Sequence, residues 1–164
     1  MARNPAISSL LAQINEAFDR QSWHGPNLRG SLRGMGSAKA SWRPGRGRHN
    51  AWEIAVHAAY WKHAAWRRLT GEKRGSFGRP GSNWFASPTL PTEAEWRRDV
   101  ALLRECHRRL LGAVERLTDD DLDRRPPGGR QTIGRLVRGI AAHDLYHAGQ
   151  IQLLKRLMES RGTS

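Results

Sequence analysis

Two histidines four residues apart, in "GIAAHDLYHAGQI", are the residues whose type and spacing point most directly to chemistry. On a helix, at about 100° per residue, His143 and His147 share a face ~6 Å apart, so both imidazoles can reach one metal ion. Such a pair has three readings: a metal-binding face, hydrogen-bonded core histidines, or a surface pair. The first gains from position, because the pair lies between Ile140 and Ile151 among small and apolar residues. Buried neutral imidazoles need partners for both ring nitrogens, and a metal ion with outer hydrogen-bond acceptors supplies them.

A third ligand from another helix would complete a facial site. His57, in "AVHAAYW", is the best placed, inside a helical segment whose small residues admit another helix. His49, at that segment's entrance, reads as solvent-facing or capping, and His63 points to a different face. His107, on the apolar stripe of a later helix, is a reserve ligand, and His24 is a loop residue able to visit the site mouth. Asp144 is turned about 100° from His143, so it either orients an imidazole on an adjacent helix or pairs with an arginine. Gln150 returns to roughly the ligand face, where it meets an imidazole or substrate, or packs as a buried amide.

Four segments must position these groups. Ile7, Leu10, Leu11, Ile14 and Phe18 repeat at helical spacing, and the breakers Gly25 and Pro26 predict an end near Trp23. A short turn through Leu28 and Leu32 follows. Asn50 with Glu53 forms the pattern of a capping box for a second helix that runs to about Leu69, with Gly71 beyond it. A Gly-, Pro- and Ser-rich loop of about twenty residues then leads to a second box, Thr92 with Glu95, and loops of that length are commonly functional or disordered. The third helix carries Trp96, Val100, Leu103, Leu110, Val114 and Leu117. The fourth starts near Thr132 and carries Ile133, Leu136, Val137, Ile140, Ile151, Leu154 and Met158. No segment alternates with the period of a strand, so an all-α four-helix bundle forming one domain over residues 1–164 is predicted.

Composition narrows the function classes. No run approaches the roughly 20 apolar residues of a membrane span, and the N-terminal segment meets Asn15 and Glu16 before an apolar core can develop, which predicts a soluble, cytoplasmic protein. The lone Cys106 excludes an internal disulfide, and its helical context reads as a structural thiol. The net charge is +13, carried mostly by arginine. Many arginines fall in doublets that read as solvated faces. The segment from Arg20 to Arg48, however, holds Arg29, Arg33, Lys39, Arg43, Arg46 and Arg48 without one carboxylate. With Trp23 and Trp42 interleaved, that segment keeps single-stranded nucleic acid open as a partner.

His57 in "HNAWEIAVHAAYW", "GIAAHDLYHAGQIQLLKR" near the C-terminus, "AFDRQSWHGPNL" and "LTDDDLDR" together resemble the DinB/YfiT-like family of metal-dependent enzymes. The resemblance covers nearly the whole chain, and H-D-x-Y-H-x-G-Q is its most specific part. It implies a DinB-like four-helix bundle with a long crossover, a divalent metal, nickel or zinc, held by three histidines, and frequent homodimers. Carried over by position, the ligands are His57, His143 and His147.

Three nitrogen ligands leave such an ion open positions, at which it lowers the pKa of bound water or activates a thiolate. The two chemistries that follow are hydrolysis and the transfer of a low-molecular-weight thiol, as similar proteins perform with bacillithiol or mycothiol. The sequence offers no unambiguous general base, because the cap accounts for Glu53. The basic segment, with Lys73, Arg74 and Arg79 of the long loop, is expected to converge at the open end of the bundle and favour an anionic substrate. The competing reading is a non-catalytic basic protein that binds nucleic acid or an anionic ligand and keeps a metal for structure alone.

Overall fold

A computed structural model describes residues 4–161 as helices and connections, with no strand among them. The predicted domain, residues 1–164, extends at both ends past the described residues. The helices are α1 (Pro5–Phe18), α2 (Leu28–Ser31), α3 (Ser37–Ser41), α4 (Ala51–Thr70), α5 (Glu93–Val114), α6 (Asp119–Leu122) and α7 (Ile133–Arg161). Four are long, and they pack as a ring in which α7 lies between α1 and α4, and α5 closes the ring on the far side. Because α1 and α4 sit on opposite corners, the connection between them, with α2 and α3, crosses the bundle. This is the expected long crossover.

Local chemistry explains the boundaries. Asn4 caps α1 by accepting from the Ala6 N–H. The helix stops at Phe18, five residues before the expected end at Trp23, because the Asp19 and Arg20 N–H groups both fold back onto the Asn15 carbonyl. Thr92 and Glu95 form the predicted reciprocal box at the start of α5. At α4 only half of the expected box is present. The Asn50 side chain accepts from the Glu53 N–H, but the Glu53 carboxylate turns to Arg43, His49 and the Ser87 N–H instead. Gly71 ends α4 in the left-handed conformation (φ 77°) that favours glycine.

Burial divides the interior into two apolar clusters. One gathers Phe18, Leu32, Trp52, Val56, Trp96, Leu103 and Ile151, and the other Ile7, Leu10, Ile14, Leu110, Val114 and Val137. Among the buried polar residues, Lys62 of α4 meets both His107 of α5 and Asp144 of α7, with its ammonium over the Phe18 ring. Cys106 is also buried, which pushes its thiol up to about 12 and leaves it unreactive, as its helical context indicated. Among the described residues no helix is long and apolar enough to cross a membrane.

Candidate metal centre

The structure brings His57, His143 and His147 together. His57 comes from α4, and His143 and His147 from successive turns of α7. His143 Nε2 lies 3.1 Å from His57 Nε2 and 3.1 Å from His147 Nε2. Nitrogens bound to one zinc or nickel ion at ~2.0–2.1 Å stand about this far apart. The small residues Ala55, Ala58 and Ala59 on either side of His57 are fully buried in α4.

Hydrogen bonding fixes which nitrogens carry protons. The Nδ1 of His57 faces the Asn83 carbonyl oxygen at 2.7 Å. A carbonyl only accepts, so this Nδ1 is the donor and the Nε2 of the neutral ring is a bare lone pair. His147 repeats the arrangement, with Nδ1 donating to Gln150 Oε1 at 2.7 Å. His143 Nε2 has at most one proton to offer two lone pairs. A cation at the convergence point relieves that conflict, so the donor set fits a divalent ion of borderline softness.

Electrostatics keeps the rings neutral. Burial, with the two neighbouring imidazoles, pushes His143 down to about 3. Burial takes His147 to about 4 despite its bond to Gln150, and it lowers His57 against the opposing effect of the Asn83 carbonyl. At neutral pH all three are uncharged, the form that ligates metal.

The long loop between α4 and α5 builds the outer wall. Asn83 adopts a left-handed conformation (φ 64°), which turns its carbonyl to His57 while its side chain accepts from the Trp61 indole at 3.0 Å. Trp84 stacks on His57 at 3.8 Å and, on its other face, on His49 at 3.6 Å. His49 in turn meets Glu53 at 2.9 Å, and Glu53 pairs with Arg43. Burial works against the Glu53 carboxylate, but the bonds from Arg43, His49 and Ser87 outweigh it and hold its pKa below the usual value. Sequence reasoning missed Asn83 and Trp84; the one available signal was an "NW" pair in a loop too long to be a simple connector.

Gln150 touches His147, one of its three readings. Asp144 pairs with neither an imidazole nor an arginine: its Oδ2 accepts a short hydrogen bond from Lys62, and its Oδ1 has no partner. The reason is its direction, since 100° from His143 points into the bundle interior where Lys62 is buried. His107 is not a reserve ligand; it stacks on Phe18 and lies 3.3 Å from Lys62 Nζ, and burial, followed by Lys62, drives it down to about 2. His63 faces Ser76 under the loop, and His24 is exposed and outside the cluster.

Three of the cations expected to gather at the open end of the bundle are ion-paired. Arg79 pairs with Asp99, Arg29 with Asp19, and Arg43 with Glu53, the last of these beside the wall that covers His57. Trp42 packs against the core.

No curated protein and no solved structure matches the chain. The DinB superfamily profile, however, matches residues 21–151, well over half of the chain, and spans all three clustered histidines. With an all-α fold and this match, the chain belongs to the DinB superfamily.

Proposed function

We propose that the protein is a metal-dependent enzyme of the DinB superfamily whose zinc or nickel ion is held by His57, His143 and His147. The observation that carries this reading is the convergence of three Nε2 atoms, two of them left bare because their Nδ1 protons are committed to Asn83 and Gln150. When bound, the ion supplies Lewis acidity toward a water or a thiol. The protein's own groups orient the rings, keep them neutral and shield one side of the site with Trp84. Hydrolysis and low-molecular-weight-thiol transfer are the reactions this arrangement serves, in a cytoplasmic setting, on a small substrate. The two-fold assembly common among similar proteins extends to this chain as part of the proposal.

The test is the metal content of untagged protein by elemental mass spectrometry, beside His57→Ala and His147→Ala. About one zinc or nickel per chain, lost in both variants, supports the reading and selects the substrates to screen. Wild-type protein that neither carries metal nor takes it up rejects it.

A second observation favours binding without catalysis. A groove of about 900 Å³ between the α1–α2 connection and α5 is lined by Arg20, Arg29, Arg33, Arg97 and Arg104 with two carboxylates, Asp19 and Glu93, and Trp23 of that connection is fully exposed. A random single-stranded oligonucleotide that bound there would dissociate steeply with added salt. No binding at low salt removes this reading.

A further inference from the structure

His143 differs from its two partners. His57 and His147 each donate their second ring nitrogen to a protein oxygen, whereas His143 Nδ1 has no hydrogen-bond partner among the described residues. Metal-bound imidazoles normally give that proton to an acceptor.

His143 also lines a cleft of about 530 Å³ that no assignment above uses. Its walls are apolar at Trp61, Leu136 and Ile140, and two guanidiniums, Arg68 and Arg130, stand among them. No carboxylate lines the cleft. Neither arginine has an ion-pair or hydrogen-bond partner among the described residues, and Arg68 is only partly exposed. What sets this pair apart is that His143 lines the same cleft, whereas Arg43, which reaches the site's outer wall, is paired with Glu53.

The turn that carries Arg130 is built tightly. The Gly129 N–H donates to the Pro126 carbonyl at 2.8 Å, and Gly128 sits at φ 69°. A Cβ on Gly129 would stand 2.8 Å from the Pro126 ring, so glycine is required for the chain to close here. Arg130 follows directly, on the last connection before α7.

We propose that this cleft binds the oxyanion end of the substrate, a carboxylate or phosphate carried on an apolar body, between Arg68 and Arg130 and beside His143. Two guanidiniums supply bidentate donors to such a group, and the apolar walls take the body. An oxyanion there also offers the acceptor that His143 Nδ1 lacks. The inference rests on the metal reading only in calling the bound anion a substrate.

The experiment titrates benzoate, phenyl phosphate and neutral benzamide into zinc-treated protein by calorimetry, with zinc content measured on the same samples. Wild type is compared with Arg68→Gln/Arg130→Gln and with a charge-matched control, Arg125→Gln/Arg156→Gln. The expected result is at least tenfold preference for one or both oxyanions over benzamide, lost at least tenfold in the cleft variant, kept in the control, with zinc content unchanged. The stronger oxyanion tells a carboxylate source from a phosphate source. Equal binding of benzamide, equal loss in the control, or no oxyanion binding to wild type overturns the proposal. Oxyanion binding that depends on the two arginines in protein that takes up no zinc would keep the cleft and reject the metal reading instead.

Discussion

Two polar clusters lie side by side in this bundle, both built on α4 and α7 with α5 joining one of them, and they are resolved in opposite ways. In the interior, between the two apolar clusters, Lys62 and Asp144 are wholly inaccessible to solvent and form an ion pair, with His107 against the ammonium. At the flank, His57, His143 and His147 present three ring nitrogens to one another with too few protons to share. The first contains its own counter-charge in the Lys62–Asp144 pair, although Asp144 Oδ1 is left without a partner. The second consists of acceptors, so what completes it must come from outside. Asp144 and His143 are neighbours in sequence, and the 100° between them decides which cluster each joins. Burial of titratable groups alone does not identify a functional site; the balance of donors and acceptors does.

The largest expected effect lies in the interior. Lys62→Met leaves the Asp144 carboxylate buried without a counter-charge, and denaturant unfolding should show a loss of about 3–5 kcal/mol. Lys62→Met/Asp144→Leu should recover most of it. A double variant no better than the single one would show that the pair holds the helices by more than charge balance.

At the flank the loss should appear in metal binding instead. His147→Ala should weaken zinc by more than roughly 100-fold, beyond what removal of an outer hydrogen-bond partner costs, while the metal-free protein stays folded. Competition with a chromophoric chelator measures this. Equal zinc affinity in the variant would reduce the cluster to core packing.

Acid distinguishes the two states of the flank cluster. The folded-state pKa values of His143 and His147, about 3 and about 4, lie below the unfolded value near 6.5. As pH falls from 6.5, the unfolded chain takes up protons first. The stability of the metal-free protein, fully present above that pH, is therefore lost progressively toward pH 4. Protons reach the folded His143 and His147 only near pH 4 and below, so these two rings should not compete with zinc between pH 7 and 5, and His57, also lowered by burial, is the one ring left to set any earlier decline. Thermal melts and zinc titrations across this range check both signs; affinity that declines much more than tenfold per unit just below pH 6.5 would mean exposed, ordinary imidazoles.

The smallest effect concerns the partner of His147. Gln150→Leu removes the acceptor that holds Nδ1–H and should cost zinc affinity on the order of 10-fold, with melting of the metal-free protein nearly unchanged.

Much of this arrangement was legible in the sequence because it rests on local rules. Thr92 with Glu95 announced the start of α5, Gly71 the end of α4, and the i, i+4 spacing of His143 and His147 their shared face. Glu53 shows the limit of such rules: it stands three residues after its cap, but a buried carboxylate goes to Arg43, and nothing local encodes that arginine's approach. Lys62 and Asp144 left a fainter signal. Each interrupts an apolar stripe, Lys62 between Ala58 and Ala65 and Asp144 between Ile140 and Ile151, and their signs are opposite. Asn83 and Trp84 left almost none, because a loop without periodicity does not say which helix it covers.

The most direct measurement of the central claim is imidazole-nitrogen NMR of the protein before and after one equivalent of zinc. Nε2 resonances of His57, His143 and His147 should move together, with Nδ1–H retained on His57 and His147, and His107 should not move. Unchanged resonances for the three rings, or a shift centred on His107, would contradict the assignment of the flank cluster as the metal site.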